Sequence, residues 1–198
     1  GKTVAILFDK PSLRTRVSFQ VGIQELGGYS VFLGQQEVDL GNREPVSDVA
    51  NVLSGYVDCI VARVSDHQLL VELAKHASVP VVNALSDLEH PCQIMADLLT
   101  IYERKGGLRG RRVAFIGDGN NVAASLAMAC ASVGTDFTIA APRDYQVPVA
   151  AWEEATRRAA LSGSRVAWVA PPREAARDSD VVYTDVWVSM GQDAEREK

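Results

Sequence analysis

Short apolar runs alternate along the chain with longer stretches whose apolar residues recur every three or four positions. Residues 3–8 (TVAILF), 29–33 (YSVFL), 58–63 (DCIVAR) and 79–85 (VPVVNAL) are brief and apolar, as strands buried on both faces of a parallel sheet are. Between them the period lengthens. In 13–28 the residues Phe19, Ile23 and Leu26 fall on one helical face, and Gly27-Gly28 is a stop signal. A polar loop, GQQEVDLGNREP, leads to a predicted helix near 46–56, and another is predicted over 67–77. The segment 87–106 carries Pro91 where the first turn of a helix tolerates it.

KGGLRGRR (105–112), rich in glycine and charge, reads as a junction, and the alternation resumes after it. Strands are expected at 112–117, 136–141, 165–170 and 180–187, with helices at 120–134 and 149–163 and a short one near 173–178. Repeated β-α units predict an α/β fold of two doubly wound parallel-sheet domains, 1–104 and 105–198. The first run begins abruptly as a core strand, and the last residues, GQDAEREK, are polar with no closing element. Both ends therefore read as cut, and the second domain as incomplete.

A chain of 198 residues, 47% hydrophobic and 23% charged, can bury a sizeable core. Its net charge of −5 argues against a general nucleic-acid binder, so local cations need a local explanation. The three cysteines, Cys59, Cys92 and Cys130, are scattered and form no CxxC, which suggests neither a disulfide framework nor a zinc site and fits a reducing, cytoplasmic compartment. No apolar run reaches the ~18 residues of a membrane span, and the start does not read as a signal peptide.

Open α/β sheets bind ligands outside the carboxyl ends of their strands. The unusual polar residues sit at those ends: Lys10, Ser12, Arg14 and Thr15 after the first strand, Arg63 closing the third, Asn83, His90 and Gln93 after the fourth. Asp118, Asn120 and Asn121 follow the strand at 112–117, and Thr184, Asp185, Ser189 and Met190 the last. The run Ser12-Leu13-Arg14-Thr15 can grip an anion at a helix N-terminus, or Ser12 can simply cap that helix. His90 and Gln93, three apart, can aim an imidazole and an amide at a carbonyl oxygen gaining charge, or His90 can be an ordinary capping or core histidine. Cys92 between them lacks the partners of a nucleophile and is expected to pack inward. GDGNNVA (117–123) matches a dinucleotide-binding turn poorly, because Val122 holds the third glycine position and no acidic residue closes the next strand. Its asparagines are read as amide donors to a carboxylate, or as turn formers. In DVWVSMG (185–191) a carboxylate can hold an ammonium group, or the segment is an ordinary loop.

FDKPSLRTRVSF (8–19) resembles the SxRTR carbamoyl-phosphate signature of the aspartate/ornithine carbamoyltransferase family, and HPCQ (90–93) resembles its second phosphate-side motif. GDGNN and DVWVSMG resemble the amino-acid-side motifs of the ornithine branch. The resemblance implies transfer of a carbamoyl group from carbamoyl phosphate to the δ-amine of L-ornithine, giving citrulline and phosphate. By motif, Ser12, Leu13 (through its backbone), Arg14 and Thr15 would hold the phosphate, and Arg63 would bridge phosphate and carbonyl oxygen. His90, Gln93 and Thr15 would polarise the carbonyl. Asn121, Asp185, Ser189 and Met190 would hold the amino-acid end of ornithine. Arg16 is left as structural, paired with a nearby carboxylate. No metal and no organic cofactor are implied; a trimer or a multiple of it is.

The chain departs from the family pattern where Leu13 replaces a frequent Thr and where Val49 replaces another in the loop that reaches a neighbouring subunit. Members also begin with helices before the first strand and continue to an HCLP motif and a final helix, so the chain is expected to be the middle of such an enzyme. Two rivals use the same residues: a carbamoyltransferase for another amine, such as putrescine or an N-acylated ornithine, and a carbamoyl-phosphate sensor without turnover. A third, a nicotinamide-binding domain, rests on GDGNN.

Overall fold

The computed structural model describes residues 1–186 and divides into two compact units, Gly1–Cys92 and Gln93–Lys198. The first holds β1 (Thr3–Phe8), α1 (Leu13–Glu25), β2 (Tyr29–Leu33), the single turn α2 (Gln35–Val38), α3 (Val46–Ser54), β3 (Cys59–Arg63), α4 (His67–His76) and β4 (Val81–Leu85). Then come α5 (Pro91–Lys105), β5 (Arg112–Ile116), α6 (Asn121–Val133) and β6 (Asp136–Ala140). A 3-10 turn (Arg143–Tyr145), α7 (Val149–Ser162), β7 (Val166–Val169), α8 (Pro172–Ala176) and β8 (Val181–Tyr183) follow.

Each unit is built on a four-stranded parallel sheet, ordered β2-β1-β3-β4 in the first and β7-β6-β5-β8 in the second. The period of two along β1 sends successive side chains to opposite faces. Ala5 and Leu7 pack with Val49, Ala50, Leu70 and Leu73 of α3 and α4, while Ile6 and Phe8 pack with Phe19 and Ile23 of α1. In the second unit Val113 and Phe115 meet α6 and the buried stripe Ile94, Leu98 and Ile101 of α5, and Ala114 meets Ala175 of α8. Helices thus cover both faces of each sheet. Among the described residues no helix is long and apolar enough to cross a membrane.

Four expectations need correction. Leu26 does not share the buried face of α1: the helix ends at Glu25, and Leu26, its C-cap, is 90% exposed. The polar loop after β2 contains α2, and it buries Val38 and Leu40 against α3 and α4. Arg16 is held by an aromatic ring and an amide rather than by a carboxylate. Its guanidinium lies 3.7 Å from the centre of the Phe32 ring, and its Nε donates to Gln20 Oε1 at 3.1 Å. Asn83 lies inside β4 rather than after it.

These placements predict unequal costs. Phe115→Ala, at a wholly buried ring, should destabilise the full-length protein by about 3–5 kcal/mol. Leu26→Asn should stay within about 0.5 kcal/mol. Urea denaturation of the two variants checks both.

Candidate functional site

In the first sheet β1 lies between β2 and β3, so the strand order reverses there. α1 leaves toward one face and α4 toward the other, and the carboxyl ends of β1 and β3 stay open between them. Phe8 pairs with Arg63, and the next residue, Asp9, donates its N–H to the Arg63 carbonyl at 3.0 Å. Opposite Arg63 the ladder slips: Ala62 faces Asn83 but Arg63 faces Leu85, a bulge of the kind that re-aims a side chain. The Arg63 side chain reaches α1, donating from Nη1 to Thr15 Oγ1 at 3.3 Å.

Ser12 stands at the N-cap of α1 in an extended conformation, yet its side chain does not cap the helix. Its Oγ donates instead to Thr15 Oγ1 at 3.0 Å. The first N–H groups of a helix have no intrahelical partner, and the Ser12 side chain does not take them up. Beside them, Arg63 is only 7% exposed, and its Nε has no hydrogen-bond partner. Burial pushes the Arg63 guanidinium below its ordinary range; Asp9 opposes that shift and the nearby Arg14 charge adds to it. Asp9 compensates only in part, since its Oδ2 accepts from the Ser65 N–H at 2.5 Å while its Oδ1 has no partner. Two arginines, two hydroxyls and an uncapped helix start, converging in one place, are chemistry for a multiply charged oxyanion.

His90 immediately precedes Pro91, the first residue of α5, and Gln93 lies in the first turn. The loop before them is tied by Ser86, which is wholly buried. Ser86 Oγ lies 2.8 Å from His67 Nδ1 and accepts the Glu89 N–H at 3.2 Å. Cys92 donates from Sγ to the Asn83 carbonyl at 3.3 Å, and burial pushes its thiol up, away from thiolate. It is half-buried rather than fully packed. Gln93 is exposed, and its Nε2 donates to Asp97 Oδ1 at 3.0 Å.

The second sheet repeats the reversal between β5 and β8. There Asn120 Nδ2 donates to Asp185 Oδ2 at 2.9 Å, and Thr184 Oγ1 donates to the Ile116 carbonyl at 2.8 Å. Asn120 also caps α6, its Oδ1 accepting from the N–H groups of Val122 and Ala123. Asn121 is the first residue of that helix. Gly119 is covered by the chain itself: its N–H donates to the Tyr145 carbonyl at 2.7 Å, and a Cβ would come within 2.0 Å of the Val147 nitrogen. In a dinucleotide-binding turn the second glycine lets the backbone approach a pyrophosphate; here residues 146–147 take that space. With the helix start also capped by Asn120, the geometry disfavours the nicotinamide reading. Ser189 and Met190 lie outside the described residues.

Residues 1–103 match the family described as aspartate/ornithine carbamoyltransferase, carbamoyl-P binding domain, and residues 109–198 match its Asp/Orn binding domain. The chain belongs to the aspartate/ornithine carbamoyltransferase family. It is 53% identical over 198 residues to the ornithine carbamoyltransferase of Bacillus subtilis, covering 100% of this chain and 62% of that protein. It is 49% identical over 198 residues to a Pyrococcus furiosus protein named ornithine carbamoyltransferase, anabolic, of which it covers 63%. The solved structure of an ornithine carbamoyltransferase from Pyrococcus furiosus superposes with a TM-score of 0.95, covering 100% of this chain and 63% of that one. The chain therefore spans a little over three fifths of the length of these carbamoyltransferases.

Sequence reasoning misses Asp9, which neighbours Arg63 only through strand pairing. It also misses Asp97 and Tyr183, joined by a bond across 86 positions. For Asp97 a signal existed: it lies four residues from Gln93 on one helical face.

The two helix starts should respond differently. Asn120→Ala removes a working cap and should cost about 1 kcal/mol. Ser12→Ala removes a hydroxyl that caps nothing and should stay within about 0.5 kcal/mol, a contrast that thermal unfolding of the full-length variants reads directly.

Proposed function

We propose that the protein carrying this chain is an ornithine carbamoyltransferase, converting carbamoyl phosphate and L-ornithine to L-citrulline and phosphate. The observation that carries the reading is the buried Arg63, bonded to Thr15 beside an α1 start that Ser12 leaves uncapped. Ser12, the Leu13 N–H, Arg14, Thr15 and Arg63 hold the phosphate. Arg63, His90, Gln93 and Thr15 act on the carbamoyl group. Asn121, Asp185, Ser189 and Met190 hold the amino-acid end of ornithine, Asp185 by its carboxylate on the α-ammonium. The Asn120–Asp185 bond supports that last role by orienting the carboxylate.

The neutral δ-nitrogen attacks the carbonyl carbon, and its lone pair becomes the new C–N bond. Charge gathers on the carbonyl oxygen, where fixed donors stabilise it without reorganising. The C–O bond to phosphate then breaks, the leaving group keeps the electron pair, and the nitrogen gives up a proton to it. Catalysis on this scheme is positioning plus charge stabilisation, with no metal or organic cofactor. Residues 1–104 serve carbamoyl phosphate and 105–198 serve ornithine. The family resemblance and the anabolic name of the Pyrococcus furiosus relative support arginine biosynthesis, and the resemblance supports a cytoplasmic homotrimer or a multiple of it.

The test is citrulline formation by the full-length protein. Arg14→Ala should lower turnover by several orders of magnitude while the protein still unfolds cooperatively; near-normal kinetics would sink the phosphate assignment. Because only the deprotonated amine attacks, kcat/KM for ornithine should rise about tenfold per pH unit below the amine's pKa. A flat profile from pH 6 to 8 would contradict that nucleophile.

A further inference from the structure

We propose that Asp97 and Tyr183 are positioning residues for Gln93, fixing which edge of its amide meets the carbamoyl group. The inference rests on the reading that Gln93 contacts that group. The terminal torsion of a glutamine is broad and roughly two-fold, so an exposed Gln93 left alone would present either its oxygen or its nitrogen to a given spot. Asp97 removes the ambiguity. An ionised carboxylate only accepts hydrogen bonds, so the Gln93 atom 3.0 Å from Asp97 Oδ1 has to be Nε2. Oε1 and the second N–H are then the atoms left for a substrate.

A Gln–Asp pair four apart on a helix is worth only about 0.2–0.5 kcal/mol in isolation, too little to hold an exposed side chain firmly. This pair is not isolated. Asp97 Oδ2 accepts the Tyr183 hydroxyl at 3.0 Å, so both carboxylate oxygens are engaged. The Tyr183 ring stacks on Phe115, with centroids 5.6 Å apart and planes 17° apart, and Phe115 is wholly buried in β5. Burial, with the Asp97 carboxylate second, pushes the Tyr183 phenol up, so it stays a donor at any ordinary pH. The orientation of the amide is therefore anchored in the core of the second unit, through the strand that leads directly to Asp185. The chemistry itself assigns Asp97 no other task.

The experiment is steady-state kinetics on the full-length protein, with inorganic phosphate as a competitive probe of the anion site. Asp97→Asn can donate to Oε1 and turn the amide over. It should lower kcat/KM for carbamoyl phosphate by about 100-fold, the scale of a small misplacement at a reacting centre. Inhibition by phosphate should change less than about twofold, because that anion is gripped at α1, whereas general damage to the fold would weaken both. Tyr183→Phe, losing one hydrogen bond, should cost about threefold and carries the test if Asp97→Asn folds poorly. The double variant D97N/Q93A should be no worse than Q93A alone. Wild-type kinetics for both Asp97→Asn and Tyr183→Phe, or losses from D97N and Q93A that multiply, would overturn the positioning role. A wild-type protein that makes no citrulline overturns the functional reading instead. The crystal structure of Asp97→Asn then decides the positioning claim, which fails if the Gln93 amide has not moved.

Discussion

Parallel pairing is the constraint on which the rest depends. Each connection must cross over its sheet, so the inner strands β1 and β3 are covered on both faces and leave little room for polar chemistry. Ala5 to Phe8 in β1 and Ile60 to Ala62 in β3 are wholly or almost wholly buried and apolar. The first positions free to carry charge are the carboxyl ends, and only where the strand order reverses do two such ends stay uncovered. Both sheets have one such reversal, β1 beside β3 and β5 beside β8. Asp9, Ser12, Arg14, Thr15 and Arg63 occupy the first; Gly119, Asn120, Thr184 and Asp185 occupy the second.

The two reversals treat the following helix in opposite ways. At α6 the chain satisfies itself, with Asn120 taking the first N–H groups and residues 146–147 lying against Gly119. At α1 the natural capping residue turns away to Thr15, and a buried guanidinium is left with an unbonded Nε. Burying an arginine costs several kcal/mol unless charge and hydrogen bonds compensate it. Asp9, with one oxygen already given to Ser65, compensates in part. That imbalance is local and of one sign, and a bound phosphate is the kind of group that offsets it.

Much of this was legible in the sequence because periodicity reports which side chains face a core. The strands, most of the helices and the gathering of polar residues at strand ends follow from spacing alone. What periodicity does not report is a partner. Leu26 fits the apolar face of α1 by number, but the helix ends one residue earlier and the side chain swings into solvent. Arg16 invites a carboxylate, yet the nearest large feature on that face is Phe32, brought there by the β1–β2 pairing. GDGNN signals a tight turn, but a glycine's sequence does not say what presses against it. Asn120 and Asn121 are adjacent and alike in sequence, and spacing does not say that Asn120 both caps α6 and donates to Asp185.

The Asn120–Asp185 pair also contrasts with a carboxylate that is used up in ion pairs. A carboxylate has about four acceptor positions. Asp185 uses one on Asn120 Nδ2 and one on the Val186 N–H, at 2.9 and 2.7 Å. Both donors are neutral, so they orient the group without cancelling its charge. Contrast Glu154 on α7, gripped by Arg157 and Arg158 at 2.7 Å each, whose carboxyl those two partners hold down at about 2. Glu154 is neutralised where it stands and has little left to offer a ligand. Asp185 is oriented by neutral donors and keeps acceptor positions open, which is what the proposed contact with an α-ammonium group requires.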